Sequence, residues 1–451
     1  MLASHLARPF MRTLFGSIAF AGILGVFAIS VAAAADVPGK SPSGSVTFNR
    51  DVLPILQAHC QTCHRPGEVG PMALLTYEGT RPWAKAMKAA VLSRKMPPWF
   101  ADPKFGHWAN DRSLSQAEIN TLTAWADTGA LEGDAKDKPA PVQWVDGWNI
   151  PKPDLVVEMP VEYEVPAKGT VEYTYIIVPT GFTKDTWVEQ MEMRPGNRAV
   201  VHHANIYIRR PDSSWLRKYP VGVPFVPEEQ KSSSTAGAPL GDENVAGYVP
   251  GKQTVVLAPG KAKLIPAGSD IVFQMHYTAN GTATKDRTKF GMLLAKQEPT
   301  MRVARIYTAN NTFVIPPGAS DYKVESSTTL QQETTLVSLK PHMHLRGKSM
   351  EFRAVFPNGE REVLLNVPNY DFNWQLEFML AEPKTLPKGT RLEMSASFDN
   401  SPNNKSNPDP TKAVRWGDQS WEEMAIAYFE VGFSPKIDIP NLFAGHLKQL
   451  E

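Results

Sequence analysis

The sequence predicts a chain of several domains: a small all-α domain, then two tandem antiparallel β-sandwich domains of jelly-roll-like type. Three observations carry this expectation. The two cysteines among the 451 residues, Cys60 and Cys63, lie in Cys60-Gln61-Thr62-Cys63-His64, between two stretches of helical periodicity. From about Asp154 onward, short runs rich in Val, Ile, Tyr and Thr alternate with Pro-Gly turns, and no long helical pattern interrupts them. Within that region Ile265 to Tyr277 aligns without a gap to Leu386 to Phe398, each a turn feeding a strand. Two sandwiches of similar topology, divided near residue 300, are the simplest source of that repeat.

Residues 1–35 read as a secretory leader: Arg8 and Arg12, an apolar run from Leu14 to Val31, then Ala32 to Ala35 before Asp36. Cleavage is expected near Ala34 or Ala35. The alternative is an uncut anchor, since the apolar run is about long enough to span a bilayer. Either way the body of the protein is expected in the periplasm.

The all-α domain is expected over residues 46–134. Phe48 to His59 has the spacing of an amphipathic helix, with Val52, Leu53, Ile55 and Leu56 apolar. Leu114 to Ile119 opens another, whose Ile119, Leu122 and Trp125 recur at helical intervals before Gly129 stops it. Between them, Cys-x-x-Cys-His is the pattern that attaches a c-type haem through two thioethers, with His64 placed to ligate the iron. A plain dithiol or disulfide and a zinc site are the alternatives, the latter short of two matched ligands. Both helices resemble the first and last helices of a small class I cytochrome c. That resemblance implies a sixth iron ligand from a methionine on the loop between them. Met72, Met87 and Met96 are candidates, and Met96 is favoured because Pro97 and Pro98 pre-set an irregular loop there. His107 is the rival ligand.

Residues 135–153, opening on Asp134 to Pro141, form a charged, proline-rich linker. The first sandwich is expected over residues 154–299, with strands such as Tyr173 to Val178 and Thr254 to Leu257. The second is expected over residues 300–451. Val-Pro or Ile-Pro turns with glycine, Val165 to Gly169 and Ile315 to Gly318, precede a histidine pair in each.

Charge balance argues against a nucleic-acid partner. The formal charge is +1, with 47 basic and 46 acidic residues, and loss of a leader holding two arginines and no acid brings it to about −1.

Of the ten histidines, five cluster in three places: His202-His203, His276 and His342-Met343-His344. Side chains at i and i+2 of a strand share a face, so His342 and His344 can grip one ion. His202 and His203 point to opposite faces of an ideal strand, and both can bind only where a bulge re-aims one. Imidazole suits copper, zinc, iron and nickel alike.

Val201-His202-His203, Gln274-Met275-His276-Tyr277, Pro341-His342-Met343-His344 and Glu423-Met424 resemble, in order and type, the copper type II ascorbate-dependent monooxygenases. That family includes the peptidylglycine and dopamine hydroxylating enzymes, and the resemblance spans about residues 150 to 435. It implies one copper held by His202, His203 and His276. It implies a second, oxygen-activating copper held by His342, His344 and Met424, with a solvent cleft between the two. Soft thioether sulfur suits Cu(I). The arginine and tyrosine that anchor a substrate carboxylate in peptide-hydroxylating members map onto Lys340 and Tyr428. Lysine keeps the charge but loses the bidentate fork. The animal members are rich in disulfides, and this chain has no cysteine to spare.

The resulting expectation is a periplasmic, haem-fed copper monooxygenase with one covalent haem c and two copper ions. It would use dioxygen, a periplasmic electron donor and a small organic or peptide substrate. A non-hydroxylating haem/copper electron-transfer or copper-binding protein is the alternative. A zinc hydrolase using the three-histidine site is another. Blue-copper chemistry lacks its cysteine.

Overall fold

Apolar spacing makes helices of the first part of the chain and strands of the remainder. The computed structural model describes residues 44–145, 147–228, 243–249 and 254–445, and the leader expected over residues 1–35 lies outside them. A π-helical turn, Phe48–Val52, runs straight into α1 (Leu53–His59). The expected single amphipathic helix therefore begins with a wider turn. Three more follow: α2 (Tyr77–Thr80), α3 (Ala84–Leu92) and α4 (Gln116–Asp127).

At the start of α4 the Ser115 hydroxyl accepts from the Glu118 N–H, and the Glu118 carboxylate accepts from the Ser115 N–H at 2.7 Å. This reciprocal cap satisfies two of the donors a helix start leaves orphaned. Gly129, at φ +95°, turns the chain out of the helix. Ile119, Leu122 and Trp125 are buried with Phe48, Val52, Leu53, Leu56 and Leu74 in one helical core.

The β region begins with β1 (Leu155–Glu158), β2 (Tyr163–Val165), β3 (Thr174–Pro179), β4 (Thr186–Arg194), β5 (Val201–Arg209) and β6 (Glu243–Tyr248). It continues with β7 (Thr254–Val256), β8 (Lys261–Ile265), β9 (Asp270–Tyr277), β10 (Thr284–Asp286) and β11 (Lys289–Leu294). A second series comprises β12 (Met301–Ala309), β13 (Val314–Ile315), β14 (Tyr322–Leu330), β15 (Thr334–His342), β16 (Gly347–Val355) and β17 (Arg361–Val367). It closes with β18 (Phe378–Leu386), β19 (Arg391–Phe398), β20 (Val414–Arg415), β21 (Ile426–Phe433) and β22 (Phe443–Gly445). The described chain is thus mainly β with few helices.

Strand pairing repeats between the two series. The order β3-β9-β5-β6 recurs as β14-β19-β16-β17, the pair β2-β10 recurs as β13-β20, and β1-β11-β4-β8 recurs as β12-β21-β15-β18. The turn-strand units that align in sequence, ending in β9 and β19, occupy the same place in this order. Gly268 and Gly389 supply the left-handed turns that precede them, at φ +71° and +87°.

The halves are not separate slabs. A short parallel pairing, Met301 with Lys261 and Arg302 with Ala262, joins β12 to β8 and makes one nine-stranded sheet of both. Along this seam lies a buried set of charges. Lys263 pairs with Glu430 and, at 3.9 Å, with Glu243; Arg302 reaches Glu243 at 3.6 Å; Arg305 reaches Glu430 at 3.1 Å and Glu377 at 3.2 Å. Three cations face three anions, so the seam is neutral. Apolar side chains of each half close a core of their own.

The helical part is tied to both halves. After α3 the chain runs across to the second half, where Trp99 and Trp108 meet Phe378 edge-on at 4.9 and 5.5 Å. There the Asp102 N–H donates to Asn366 O and the Ala109 N–H to Met379 O, both at 2.8 Å. The stretch expected as a linker is pinned as well, since the Asn149 N–H donates to buried Glu192 at 2.6 Å. Among the described residues, no helix is long and apolar enough to cross a membrane.

Candidate functional site

The first cluster forms where β5 enters its sheet. Pairing between β5 and β9 slips by one residue between Val201 and His203, after which His203 stands opposite His276. This bulge turns His202 toward its neighbour. The Nδ1 atoms of His202 and His203 lie 3.2 Å apart, and each lies 3.3 Å from His276 Nδ1. A ring nitrogen either donates or accepts, so hydrogen bonds cannot satisfy a three-way contact. A tetrahedral ion with bonds of about 2.0 Å places its nitrogens about 3.3 Å apart, which is this triangle.

Burial keeps the imidazoles neutral and their lone pairs available. It lowers His202, lowers His203 well below its ordinary value, and takes His276 to about 3. Tyr173 supports the cluster from behind. Its ring stacks on His276 at 4.6 Å, and its oxygen lies 3.2 Å from His203 Nε2. With Nδ1 facing the cluster, Nε2–H is the donor in that bond, which fixes the tautomer.

The second cluster forms at the end of β15. His342 and His344 have ring centroids 5.2 Å apart, the spacing also seen for His202 and His203. His342 Nδ1–H donates to Gln375 Oε1 at 2.8 Å, and His344 Nδ1–H to the Glu422 carbonyl at 3.3 Å. Both Nε2 atoms are thereby left as acceptors for an ion. Burial lowers His342 well below its ordinary value and His344 to about 4. Buried Met424 directly follows Glu422 and Glu423, both of which bond to His344; the Glu423 carboxylate accepts the His344 N–H at 2.8 Å. Ile426, two residues on, stands opposite His342.

Phe372 touches both clusters. Its ring lies 6.2 Å from that of His202 and 5.9 Å from that of His344, so those imidazoles are no farther apart than the two distances together. A small cavity of about 20 Å³, with no part of its wall from Phe372, is lined by residues including His203, Asn205, Arg305, Lys340 and Gln375. Lys340 stands opposite Tyr428 across β15 and β21, and the Tyr428 ring lies 6.3 Å from His342. Both candidate substrate residues therefore flank the second cluster.

The Cys-x-x-Cys-His segment leaves α1 with both thiols free. Burial pushes Cys60 up to about 12, with the Cys63 charge adding to it, and raises Cys63 as well. His64 Nδ1 faces the Met72 carbonyl at 3.3 Å, which leaves Nε2 for an axial bond, and burial lowers its pKa. Two unpaired thiols and an oriented imidazole fit covalent haem attachment. Met72 and Met87 pack against the helical core. Met96 is half-buried in the turn after α3, and exposed His107 is tied through its carbonyl to Ala381 on β18. The loop after the motif is also bound to the turn that precedes the first cluster's strand. Glu68 pairs with Arg65 at 2.9 Å and with Arg198, four residues ahead of His202.

Sequence reasoning missed Tyr173, Phe372, Gln375 and Asp418. Asp418 has a buried Oδ2 without a hydrogen bond, and burial with the nearby Glu422 charge pushes its carboxyl up to about 7. None of these sits at a recurring interval from the histidines, so no local signal marked them.

No protein-family model matches the chain, and no curated protein matches it. Among solved structures, the infectious bursal disease virus Gx strain shows 8% identity over 64% of this chain and 75% of that one, with a TM-score of 0.19. The Sputnik virophage shows 9% identity over 74% of this chain and 96% of that one, with a TM-score of 0.17. Scores so low do not denote a shared fold.

Proposed function

We propose that this chain is a haem-fed, two-copper monooxygenase of the periplasm. Its architecture is read as a cytochrome c-like helical domain followed by two tandem jelly-roll-like sandwiches. The observation that carries the proposal is the triangle of His202, His203 and His276 Nδ1 atoms at 3.2 to 3.3 Å, near a second, differently built histidine pair. One site has nitrogen donors alone; the other offers His342, His344 and the thioether of Met424.

Copper at both sites and haem at Cys60, Cys63 and His64, with Met96 as sixth ligand, would supply the redox chemistry: one atom of dioxygen enters a substrate C–H bond, and two electrons and two protons take the other to water. The chain's own groups prepare for it. Tyr173, Gln375 and the Glu422 carbonyl hold the histidine tautomers. Asp418, its carboxyl raised to about 7, can hold a proton near neutrality. Lys340 and Tyr428 flank the second cluster, where an anionic substrate group would be received. Glu68, bonded to Arg65 and Arg198, keeps the loop after the haem motif against the turn that precedes the strand carrying His202 and His203.

The test is to load the protein with copper and haem, reduce it with dithionite, and mix it with oxygen while following the haem band. Two coppers per haem and oxygen-dependent haem reoxidation that slows in His342→Ala and Met424→Ala are expected. Reoxidation unchanged in both variants would sink the route. A second reading is favoured by the all-nitrogen donor set of the first cluster, which also suits a catalytic zinc. Zinc in the isolated protein, with hydrolysis that survives copper removal, would select it.

A further inference from the structure

The second cluster is carried by two stretches of chain far apart in sequence. His342 closes β15 and His344 lies in the turn just past it, whereas Met424 lies in the connection from β20 to β21. Strand pairing sets these stretches side by side as far as the rung of His342 opposite Ile426. Beyond that rung neither His344 nor Met424 belongs to a strand, so the ladder does not set their separation.

Glu423 spans the gap. One of its side-chain oxygens accepts the His344 N–H at 2.8 Å, and the other accepts the Arg346 N–H at 2.5 Å. The carboxyl group is fully buried, and two acceptors met by two donors leave neither partner orphaned. Its backbone is fixed in turn: the Glu423 N–H donates to the Arg415 carbonyl, and the Glu423 carbonyl accepts the Gly417 N–H, both at 3.1 Å. Arg346 adds a bond to the same connection, its Nη1 donating to the Trp421 carbonyl at 2.8 Å. Met424 is the next residue, and its Cα lies about 3.8 Å from that of Glu423. The thioether therefore springs from a backbone pinned one residue away to the turn that bears His344.

We propose that Glu423 is a positioning residue of the second site: its carboxyl group holds the turn bearing His344 to the segment bearing Met424, and so decides whether the thioether joins the two imidazoles on one ion. This rests on the two-metal reading above. With the anchor intact, sulfur and nitrogen act on the same copper, and soft sulfur favours Cu(I). With the anchor cut, the imidazoles keep the ion, His342 still oriented by Gln375, while the thioether is released.

The experiment uses the haem-bearing full chain with Glu423→Gln, which keeps the shape but turns one acceptor into a donor facing an N–H. Glu423→Asp keeps both acceptors on a stem shorter by one methylene. Trp421→Ala alters an exposed side chain of the same connection and leaves its carbonyl in place. Met424→Ala is the reference for a site without sulfur. Amide exchange at 344 and 346 is followed in the metal-free protein. After copper loading, the metal is counted, Cu(I) X-ray absorption is read for sulfur scattering, and the reduction potential of the second copper is measured. Two coppers are expected in every variant. Glu423→Gln should exchange those amides roughly tenfold faster, lose the sulfur scattering and show a lower potential, matching Met424→Ala. Glu423→Asp should fall between, and Trp421→Ala should match the wild type. Sulfur scattering and potential unchanged in Glu423→Gln and Glu423→Asp while the amides exchange faster would overturn the proposal. So would loss of the second copper from either variant with the fold intact, since Glu423 would then hold the whole site rather than its thioether. A wild-type protein with fewer than two coppers, or with two and no sulfur scattering, overturns the reading of the second site, and this proposal with it.

Discussion

A tyrosine oxygen decides which nitrogen of His203 faces its neighbours. Because Tyr173 lies 3.2 Å from Nε2, that nitrogen carries the proton and Nδ1 presents a lone pair to the triangle. Tyr173→Phe keeps the ring stacked on His276 and removes the hydroxyl that bonds His203 and Ser420. Metal affinity of the three-histidine site should fall by about 10- to 100-fold in a chelator competition, while the second site keeps its affinity. Gln375→Leu should do the converse, since it leaves the His342 proton without an acceptor in a buried place. Equal affinities in wild type and both variants would remove the supporting role from these residues. The adjacent pair His202-His203 was ambiguous in sequence, because an ideal strand parts them. The register slip beside Val201 resolves it, and that slip depends on pairing with β9, some seventy residues away.

Single elements carry their own tests. For Glu118, burial works to raise the carboxyl, but the Ser115 hydrogen bonds and the His59 charge outweigh it and hold the group below its ordinary 4.5. A carboxyl lower in the folded than in the unfolded state stabilises above its unfolded pKa and loses that contribution as pH falls through its folded pKa. Thermal melts should therefore show a loss on acidification below about 4.5 that Glu118→Gln lacks. Ser115→Ala should cost about 1 kcal/mol at neutral pH. Helix α4 was legible from Ser115, Glu118 and its apolar spacing. The π-helical start at Phe48 was not, because a π turn carries no periodicity of its own over five residues.

At the scale of the whole molecule, the seam between the halves is electrostatic as well as hydrogen-bonded. Lys263→Met would leave Glu430 and Glu243 buried with one cation fewer, and should lower stability by about 3 to 5 kcal/mol in urea titrations. Both halves are expected to melt in one transition, because they share a sheet through β8 and β12. Two separated transitions in the wild type would show the seam to be weak. The repeated turn-strand unit foretold a repeat of topology, and the matched pairing order around β9 and β19 is that repeat. The continuous sheet that joins the halves was not legible, since its parallel contact spans only two residue pairs.

The local chemistry was legible along the chain: the thiol pair and histidine of Cys60-Gln61-Thr62-Cys63-His64, the apolar faces of α1 and α4, the alternating strands, and the residue types able to hold metal. Those depend on spacing along the chain, which a sequence displays directly. Tertiary structure alone decided which groups meet. It brought His276 to His202 and His203 through the β5-β9 bulge, set Tyr173 and Gln375 behind the imidazoles, and placed Phe372 against both clusters. Such contacts join residues whose distance along the chain bears no relation to their distance in space, and only the packing of strands against one another fixes them.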